Sequence, residues 1–327
     1  MMRTASSNRA VNVALIGNLL VAATKFGAAL WTGSSAMSSE ALHSFVDSGN
    51  EVLLLYGQSR ATRAPDSSHP LGHGRELYFW SFIVALLIFA LGSGISILQG
   101  VSQIRQARVI EHPLVSYLVL ALAFVFEGVS WLVAFRQFRR METRGEQGLY
   151  ESFRRSKDPP TFMVLFEDSA ALIGVLIAAS GTYAATALHW PAFDGIASIL
   201  IGVVLGGVAI LLARESKSLL IGEAVSRELE AAIVAIAGKH HAVSRVNGLL
   251  SAQLAPDQIL IALSLEFADD LRVPQIEESV IEIERAVRAA HPEILSLFVK
   301  PQTQKAFTEA ARRHFAGERF RPHSRRL

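Results

Sequence analysis

The sequence contains no cysteine, which excludes disulfide bonds, thiolate metal sites and cysteine nucleophiles. Any metal site must therefore use His, Asp, Glu or Asn. Charge is also scarce, because only 18% of the 327 residues are Asp, Glu, Lys or Arg, whereas soluble proteins usually carry about 25%. Basic residues lie beside apolar runs instead of forming patches with aromatic residues, which disfavours a nucleic-acid binder. The composition predicts a membrane protein that binds lipid and no nucleic acid.

Six segments are candidates for membrane spans, each of which needs about 20 predominantly apolar residues. The third, fourth and sixth are apolar throughout, whereas the first contains Lys25 and the second and fifth carry acids. Lys and Arg are concentrated before the first segment and in alternate loops, the bias typical of cytoplasmic loops. The sequence thus predicts six transmembrane helices with both termini in the cytoplasm. These spans are about 10–31, 38–58, 77–101, 113–137, 161–187 and 193–213, within a membrane domain of residues 1–215.

Glycine recurs in the sixth span, at Gly195, Gly202, Gly206 and Gly207. Small residues at four-residue spacing let helix backbones approach closely. A membrane helix that merely tolerates glycine is an equally good interpretation of this pattern.

From about residue 216 the sequence becomes amphipathic. Residues 226–239 have helical spacing, residues 242–267 indicate two strands around a Pro-Asp turn, and residues 274–291 form a strongly amphipathic helical pattern before a last short strand. The order helix–strand–strand–helix–strand predicts a cytoplasmic α+β, ferredoxin-like domain over residues 216–301. Residues 302–327 are basic with few apolar positions, which predicts a disordered tail near anionic lipid.

The second span carries ionisable residues at helical spacing. His43 and Asp47 lie four residues apart and share a helix face, and Glu51 continues that stripe by one more turn. Ionisable residues inside a membrane are costly and usually mark a substrate path or a relay. Glu40 is expected near the outer membrane edge, where an acid costs little.

Other spans contribute further acids. The fifth span contains Glu167 and Asp168, which point about 100° apart on a helix, and the fourth contains Glu127. Nitrogen and oxygen ligands that converge from different helices suit a divalent ion such as Zn²⁺. The alternative for Glu127 and Glu51 is a simple hydrogen bond to a neighbouring helix. Lys25 is either a counter-ion for the acids or a side chain that extends to the membrane surface.

Four stretches identify a family by resemblance. "ALHSFVDSGNEVLLLYG", followed by "HPLGHGRELYFW", resembles the cation diffusion facilitator family of divalent-metal/proton antiporters. "FEDSAALIGVLIAASG" and "DGIASILIGVVLGGVAILLARESKSLLIGEA" resemble the bacterial relatives of zinc transporter nine. The resemblance covers residues 10 to 301. It implies a homodimer in the bacterial inner membrane that exports divalent metal in exchange for protons, without enzymatic activity or a resident cofactor.

The family's transport site maps only partly onto this chain. Its H-x-x-x-D pattern on the second helix falls on His43 and Asp47, and the last position of the fifth-helix pattern falls on Asp168. The first position of that fifth-helix pattern is Val164, which cannot bind metal. A more oxygen-rich site would favour Mn²⁺, Fe²⁺ or Co²⁺ over Zn²⁺. The fourth ligand is open among Glu167, Asn50, Glu51, Glu127 and water, with Glu167 and Asn50 ranked first.

A second family site falls in the loop between the second and third spans. The pattern D-x-x-H-x-x-x-H is matched by Asp66, His69 and His73, which would leave an open fourth position for a weaker or regulatory metal. In the alternative interpretation the loop backbone at Pro70, Gly72 and Gly74 matters and the histidines are incidental.

The resemblance also implies an inter-helix ion pair between Arg75 and an acid near the exit of the sixth helix, for which Glu223 is the candidate.

The soluble domain lacks the family's strand histidines, because Ser264, Val299 and Pro301 stand at those positions. His240 and His241 are adjacent but have no carboxylate nearby in sequence. We therefore expect no binuclear metal site in this domain, which would act mainly as a dimerisation module.

Two rival functions come from other classes. A membrane metallohydrolase would need an H-E-x-x-H string, and the sequence has none. A non-transporting membrane scaffold with a degenerate metal site is favoured by Val164 alone. The sequence therefore predicts a Zn²⁺/proton antiporter, with a transporter of Mn²⁺, Fe²⁺ or Co²⁺ as the main alternative.

Overall fold

The computed structural model describes residues 3–106, 109–110, 112–141, 157 and 159–314. The chain divides into two compact units. The first comprises Met1–Arg154 and Asp158–Lys217, and the second comprises Arg155–Lys157 and Ser218–Leu327. The division after Lys217 lies close to the boundary predicted after residue 215. Much of the basic loop between the fourth and fifth predicted spans lies outside the described residues.

The first unit is helical. Its helices are α1 (Arg3–Thr32), α2 (Ser35–Ala61), α3 (Arg75–Gln106), α4 (Pro113–Met141), α5 (Pro159–Ala187) and α6 (Ala192–Ile221), the last of which continues past Lys217. Helix α3 is α-helical over Arg75–Leu87, π-helical over Ile88–Gly94 and α-helical again over Ile95–Gln106.

Four helices are long and apolar enough to cross a membrane, among the residues that the structure describes: Arg75–Gln106, Pro113–Arg136, Phe162–Ala187 and Ala192–Ile221. Helices α1 and α2 coincide with the two remaining predicted spans. Large apolar side chains on α4, including Leu114, Leu118, Leu122 and Val125, are exposed on the isolated chain. Such a surface is compatible with a membrane, because hydrocarbon solvates these side chains as well as a protein core does. The chain is a multi-pass membrane protein.

The start of α2 is fixed by an acid from α6. Gly33 ends the preceding turn with a φ of +69°, and the Ser34 hydroxyl accepts a hydrogen bond from the Met37 N–H at 3.1 Å. Asp194 is fully buried and accepts hydrogen bonds from the Ser34 hydroxyl at 2.5 Å and from the Ser35 N–H at 2.6 Å. A carboxylate at a helix N-terminus is favourable, so Asp194 ties α6 to the beginning of α2.

Helices α3 and α6 touch through glycine. A Cβ atom built on Gly100 would lie 2.5 Å from the carbonyl oxygen of Gly195, and one on Gly195 would lie 2.7 Å from the carbonyl oxygen of Gly100. One on Gly202 would lie 2.9 Å from the carbonyl oxygen of Ser93. The close-approach interpretation is confirmed at Gly195 and Gly202. It is wrong at Gly207, where a Cβ atom would meet nothing within 4 Å.

Helix α2 occupies a central position because it packs against α1, α3 and α5. Its apolar residues Val46 and Leu54 join a buried cluster with Ile88 of α3 and Phe162 of α5. Its polar residues, by contrast, face helices that supply matching polar groups, and this arrangement positions the candidate site.

The second unit contains a three-stranded sheet. Its elements are α7 (Arg227–Gly238), β1 (Val243–Ala255), β2 (Gln258–Phe267), α8 (Val273–Ala290), β3 (Ile294–Pro301) and α9 (Gln304–His314). The strand order is β1-β2-β3, with β1 antiparallel and β3 parallel to β2. Alternate residues of β2, Ile261, Leu263 and Leu265, are fully buried and pack with Ile233 and Ile283 of the helices.

The predicted disordered tail is wrong over residues 304–314, which form helix α9. Phe307 lies against Gly248 of β1, where a Cβ atom would come within 2.5 Å of the Phe307 ring. Gln304 accepts a hydrogen bond from Arg245. Phe307 and the buried Ala311 are four residues apart, so even a mostly polar segment presents a narrow apolar face to the sheet. Residues 315–327 lie outside the described part of the chain.

Candidate metal-transport site

His43 and Asp47 lie one turn apart on α2, as their spacing predicts. The His43 Nδ1 and Asp47 Oδ1 atoms are 3.2 Å apart, and His43 is only 1% exposed. The two ring nitrogens of His43 and the Oδ1 atom of Asp47 have no hydrogen-bond partner among the described residues. The contact between His43 Nδ1 and Asp47 Oδ1 does not have the geometry of a hydrogen bond. Buried polar atoms of this kind are costly unless something satisfies them. A divalent cation does so, because neutral imidazole and ionised carboxylate are its ligands.

Helix α5 brings two acids to the same region. Asp168 accepts a hydrogen bond from the Ser130 hydroxyl of α4 at 2.9 Å, and Glu167 accepts one from the Asn50 amide of α2 at 3.0 Å. The two neighbouring acids therefore point to different helices, as expected for residues about 100° apart. Both nevertheless line one cavity of about 740 Å³, which Asp47 also lines.

Val164 lines that same cavity and is 39% exposed. It lies one turn before Asp168, where the resemblance implies a metal ligand. An apolar side chain therefore faces the cavity at this position, and the fourth ligand must come from elsewhere.

Asn50 and Glu167 remain the best placed for that role. Asn50 is 1% exposed, and its Oδ1 atom has no hydrogen-bond partner among the described residues. Its Nδ2 atom is occupied by Glu167, so the two side chains are held as a unit.

Glu51 and Glu127 are engaged by neighbouring helices. Glu51 accepts a hydrogen bond from Asn18 Nδ2 of α1 at 3.1 Å. Glu127 lies 3.0 Å from Lys25 Nζ. These contacts match the simpler interpretation of both acids, as groups that bond an adjacent helix.

Lys25 is a counter-ion and does not extend to the membrane surface, because it is fully buried. Besides Glu127 it contacts Glu40 at 3.2 Å and the Ser44 hydroxyl at 2.8 Å. The expectation that Glu40 lies near the outer membrane edge stays a prediction, but Glu40 is fully buried within the protein. Hydropathy could not reveal this, because the acid is stabilised by a lysine on another helix.

The loop between α2 and α3 gathers Asp66, His69 and His73. Ligand atoms of these three residues lie within 4.8 Å of one another, and within the described ranges no other three His, Asp or Glu residues do so. His73 Nε2 lies 3.0 Å from Asp66 Oδ2, and His69 Nδ1 lies 3.4 Å from Asp66 Oδ1. The ligand atoms of Asp168, His43 and Asp47, by contrast, do not all lie within 4.8 Å of one another in this conformation.

Local hydrogen bonds hold the loop carboxylate in its ionised form. The pKa of Asp66 is lowered to about 2 by the His69 N–H, then by the His73 side chain and the Ser68 N–H. The backbone matters as well, because Gly72 has a φ of +82°, a conformation that favours glycine. The ligand and backbone interpretations of this loop therefore both have a structural basis.

Glu223 forms an ion pair with Lys157 at 2.6 Å within the second unit. The predicted pair between Glu223 and Arg75 would join the two units and stays a prediction.

In the second unit, the fold brings a carboxylate to His240 that its neighbours in sequence do not supply. His240 Nε2 lies 2.9 Å from Glu282 of α8, 42 residues further along the chain. That hydrogen bond lowers the pKa of Glu282, and the His240 and His241 rings stack 4.6 Å apart. Ser264, at a position where relatives carry a ligand, instead accepts a hydrogen bond from Asn247.

Sequence reasoning missed three polar residues that support the site: Asn18, Ser44 and Ser130. Each lies in an apolar helix and forms a hydrogen bond with an ionisable side chain of another helix: Glu51, Lys25 and Asp168, respectively. Ser130 follows Glu127 by three residues and so shares its helix face, a signal that the sequence did contain.

The chain is a multi-pass helical protein with a buried imidazole on α2 and carboxylates on α2 and α5, a set of groups that suits the binding of a divalent metal ion. Residues 11–221 match the model of the cation efflux transmembrane domain. The chain therefore belongs to the cation efflux family, the cation diffusion facilitators of divalent metals, and to its branch resembling zinc transporter nine.

The chain is 34% identical over 262 residues to metal tolerance protein C4 of Arabidopsis thaliana, covering 80% of this chain and 57% of that protein. It is 32% identical over 259 residues to the mitochondrial proton-coupled zinc antiporter SLC30A9 of Homo sapiens, covering 79% and 46%. It is 23% identical over 295 residues to the manganese efflux system protein MneP of Bacillus subtilis, covering 90% and 95%. The chain thus spans about half the length of the first two relatives.

Proposed function

We propose that this chain exports a divalent cation, with Zn²⁺ favoured, in exchange for protons. The observation that carries the proposal is the pair of buried His43 and half-buried Asp47. The ring nitrogens of His43 and the Oδ1 atom of Asp47 are buried and have no hydrogen-bond partner among the described residues. The relative named as a proton-coupled zinc antiporter supports both the substrate and the coupling.

The ligands proposed for the transported ion are His43, Asp47, Asp168 and Glu167. Asn50 positions Glu167 through the 3.0 Å hydrogen bond between them. Asp168 does not yet lie close to the other two in this conformation, so we infer that a shift of α5 toward α2 completes the site when the ion binds. Coupling binding to such a shift is the usual basis of alternating access.

Proton exchange follows from the chemistry of these ligands. Metal binding requires neutral imidazole and ionised carboxylates, so the ion displaces any protons that they carry. On the far side of the membrane, protons compete the ion off and return with the empty site. The same residues therefore carry substrate in one direction and protons in the other.

Mn²⁺, Fe²⁺ or Co²⁺ is the alternative substrate. Val164 in place of a nitrogen or oxygen ligand leaves a site with one imidazole and several carboxylates, and oxygen ligands suit Mn²⁺. The similarity to a manganese efflux protein supports this alternative. A non-transporting scaffold would keep the fold but move no protons.

The proposed architecture has six transmembrane helices, with α1 and α2 added to the four apolar ones. Charged groups that lower the hydropathy of α1 and α2 are paired or line the site, which supports counting them as spans. The Lys and Arg distribution supports cytoplasmic termini in a bacterial inner membrane. The second unit is proposed to be ferredoxin-like, on its helix–strand–strand–helix–strand order, and to mediate homodimerisation.

Asp66, His69 and His73 are proposed as a second, weaker metal site, because their ligand atoms already lie within 4.8 Å of one another. Two imidazoles and one carboxylate leave an open position, which suits a regulatory ion more than a tightly held one.

Purified protein in liposomes containing a pH-sensitive dye tests the function. Zn²⁺ or Mn²⁺ added outside should move protons with the wild-type protein and not with Asp47→Ala. The exposed Asp257→Ala provides the matched control, since Asp257 lies in the turn between β1 and β2. Proton movement by Asp47→Ala at the wild-type rate would refute the site, and none by the wild-type protein would favour the scaffold.

A further inference from the structure

Lys25 is at the centre of a charge cluster inside the helical unit, and its ammonium group is fully hydrogen-bonded. Its ammonium group donates to Glu40 of α2 at 3.2 Å, to Ser44 of α2 at 2.8 Å and to Glu127 of α4 at 3.0 Å. A lysine ammonium has three donors, and all three have an acceptor here. Lys25 and Glu40 are fully buried, so water does not compete for the contact between these two side chains.

The cluster borders the proposed transport site. A small cavity of about 40 Å³ is lined by Ser44 and Glu127 of the cluster and also by Asp47 and Asp168. Such a volume holds at least one water molecule, because about 10–15 Å³ suffices for one. Glu127 is therefore both a partner of Lys25 and a neighbour of two proposed ligands.

Lys25 holds the carboxylate of Glu127 through one of its two oxygens. The Oε1 atom lies 3.0 Å from the ammonium, which fixes the orientation of the carboxylate and places a positive charge beside it that opposes a cation bound there. An additional carboxylate would enrich the site in oxygen, which suits Mn²⁺ more than Zn²⁺.

Glu40 differs from Glu127 in its position. It contacts Lys25, packs against Gly174 of α5, and does not line the cavity that Asp47 and Asp168 line. The two acids thus hold the same lysine, but of the two only Glu127 lines the cavity beside Asp47 and Asp168.

We propose that Lys25 is a positioning and specificity-determining residue that keeps Glu127 out of the metal-ligand set. By holding this carboxylate, Lys25 limits the site to His43 and the acids of α2 and α5, which favours Zn²⁺ over oxygen-preferring cations. The inference rests on the proposed transport function and adds the residue that sets its selectivity.

Two matched double variants test this role. Lys25→Met with Glu40→Gln removes the ammonium and leaves Glu127 free, whereas Lys25→Met with Glu127→Gln removes the ammonium and leaves only Glu40. Both remove one positive and one negative charge, so the net charge of the cluster is unchanged in each. The measurement is the ratio of Zn²⁺ to Mn²⁺ affinity by isothermal titration of the purified full-length protein.

The ratio should fall about tenfold in Lys25→Met/Glu40→Gln, in line with the roughly 10–100-fold effects of groups that surround metal ligands. It should stay at the wild-type value in Lys25→Met/Glu127→Gln. An unchanged ratio in the first variant, or an equal fall in both, would overturn the role of Lys25. A wild-type protein that binds neither ion would instead refute the proposed function, so the two failures are distinguishable.

If the double variants do not fold, X-ray absorption spectroscopy of bound Zn²⁺ tests the proposal by identifying the ligands around the ion. The wild-type protein and Glu127→Gln, which keeps Lys25, should show the same shell of zinc ligands. Loss of an oxygen ligand in Glu127→Gln would place Glu127 in the ligand set and overturn the proposal.

Discussion

The side-chain amide of Asn50 donates a hydrogen bond to Glu167 Oε1 across 3.0 Å and so joins α2 to α5. Glu167 is only 7% exposed, and its neighbour Asp168 bonds a different helix. The contact fixes one carboxylate beside the cavity that Asp47 lines. This placement supports the proposal that Glu167 replaces the ligand that Val164 cannot supply.

Replacement of Asn50 should weaken metal binding through Glu167. Asn50→Ala is expected to lower Zn²⁺ affinity by about 10–100-fold, the usual loss when a residue that orients a ligand is removed. Glu167→Ala should lower it at least as much. Glu51→Gln is the control, because the Gln oxygen can still accept the hydrogen bond from Asn18. Titration calorimetry measures all three, and wild-type affinity in Glu167→Ala would exclude Glu167 as a ligand.

Histidine at position 164 should strengthen zinc binding. Val164 lines the cavity one turn before Asp168, so a histidine there would form the i, i+4 ligand pair that α2 already has. We expect Val164→His to raise Zn²⁺ affinity roughly tenfold, equivalent to about 1.4 kcal/mol.

The control for position 164 is Val129→His, which places a histidine in the same cavity on α4 without a carboxylate one turn away. An equal gain from both variants, measured by Zn²⁺ titration, would show that the position relative to Asp168 is unimportant.

Backbone amides in the loop between α2 and α3 should lose their protection against hydrogen exchange in acid. The pKa of Asp66 is about 2 in the folded chain and 3.8 ordinarily, so its ionised form stabilises the loop above about pH 3.8. This contribution is lost as the pH falls from about 3.8 toward 2. Hydrogen-exchange protection factors of the Ser68 and His69 amides should therefore drop over that interval.

Asp66→Asn provides the comparison for the acid experiment. Its protection factors should be low and nearly independent of pH over the same interval, because its side chain does not titrate. A pH-dependent loss equal to that of the wild-type protein would assign the effect to another group.

Alanine at Gly195 should destabilise the helical unit. Its Cβ atom would lie 2.7 Å from the Gly100 carbonyl oxygen, and overpacking of this kind costs about 1–3 kcal/mol. Gly207→Ala is the matched control on the same helix, because its Cβ atom meets nothing within 4 Å. Thermal unfolding in detergent should show a lower midpoint for Gly195→Ala only. Equal midpoints would mean that α3 and α6 separate easily.

Much of the fold was predictable because long apolar and amphipathic patterns are local. The helices α1 to α6 fall on the six predicted segments, and the order of helices and strands in the second unit matches the pattern. Helix α9 was missed, since its apolar face consists of little more than Phe307 and Ala311. Only the packing of the Phe307 ring against Gly248 of β1, which has no side chain to exclude it, explains why that face is enough.

The sequence by itself determined the parts of the site that depend on local geometry. His43 and Asp47 lie side by side because a helix returns to the same face after four residues, and Asp66, His69 and His73 meet within one short loop. The sequence also showed that Val164 stands where the resemblance implies a metal ligand.

Only the tertiary structure decided which distant side chains pair. The partners of Lys25, the burial of Glu40 and the bond between Asn50 and Glu167 depend on the rotation and depth of whole helices. Sequence spacing carries no information on these quantities, because packing between helices sets them. By spacing alone Glu40 and Glu127 could be either metal ligands or counter-ions. The position of the buried Lys25 shows that both are its counter-ions.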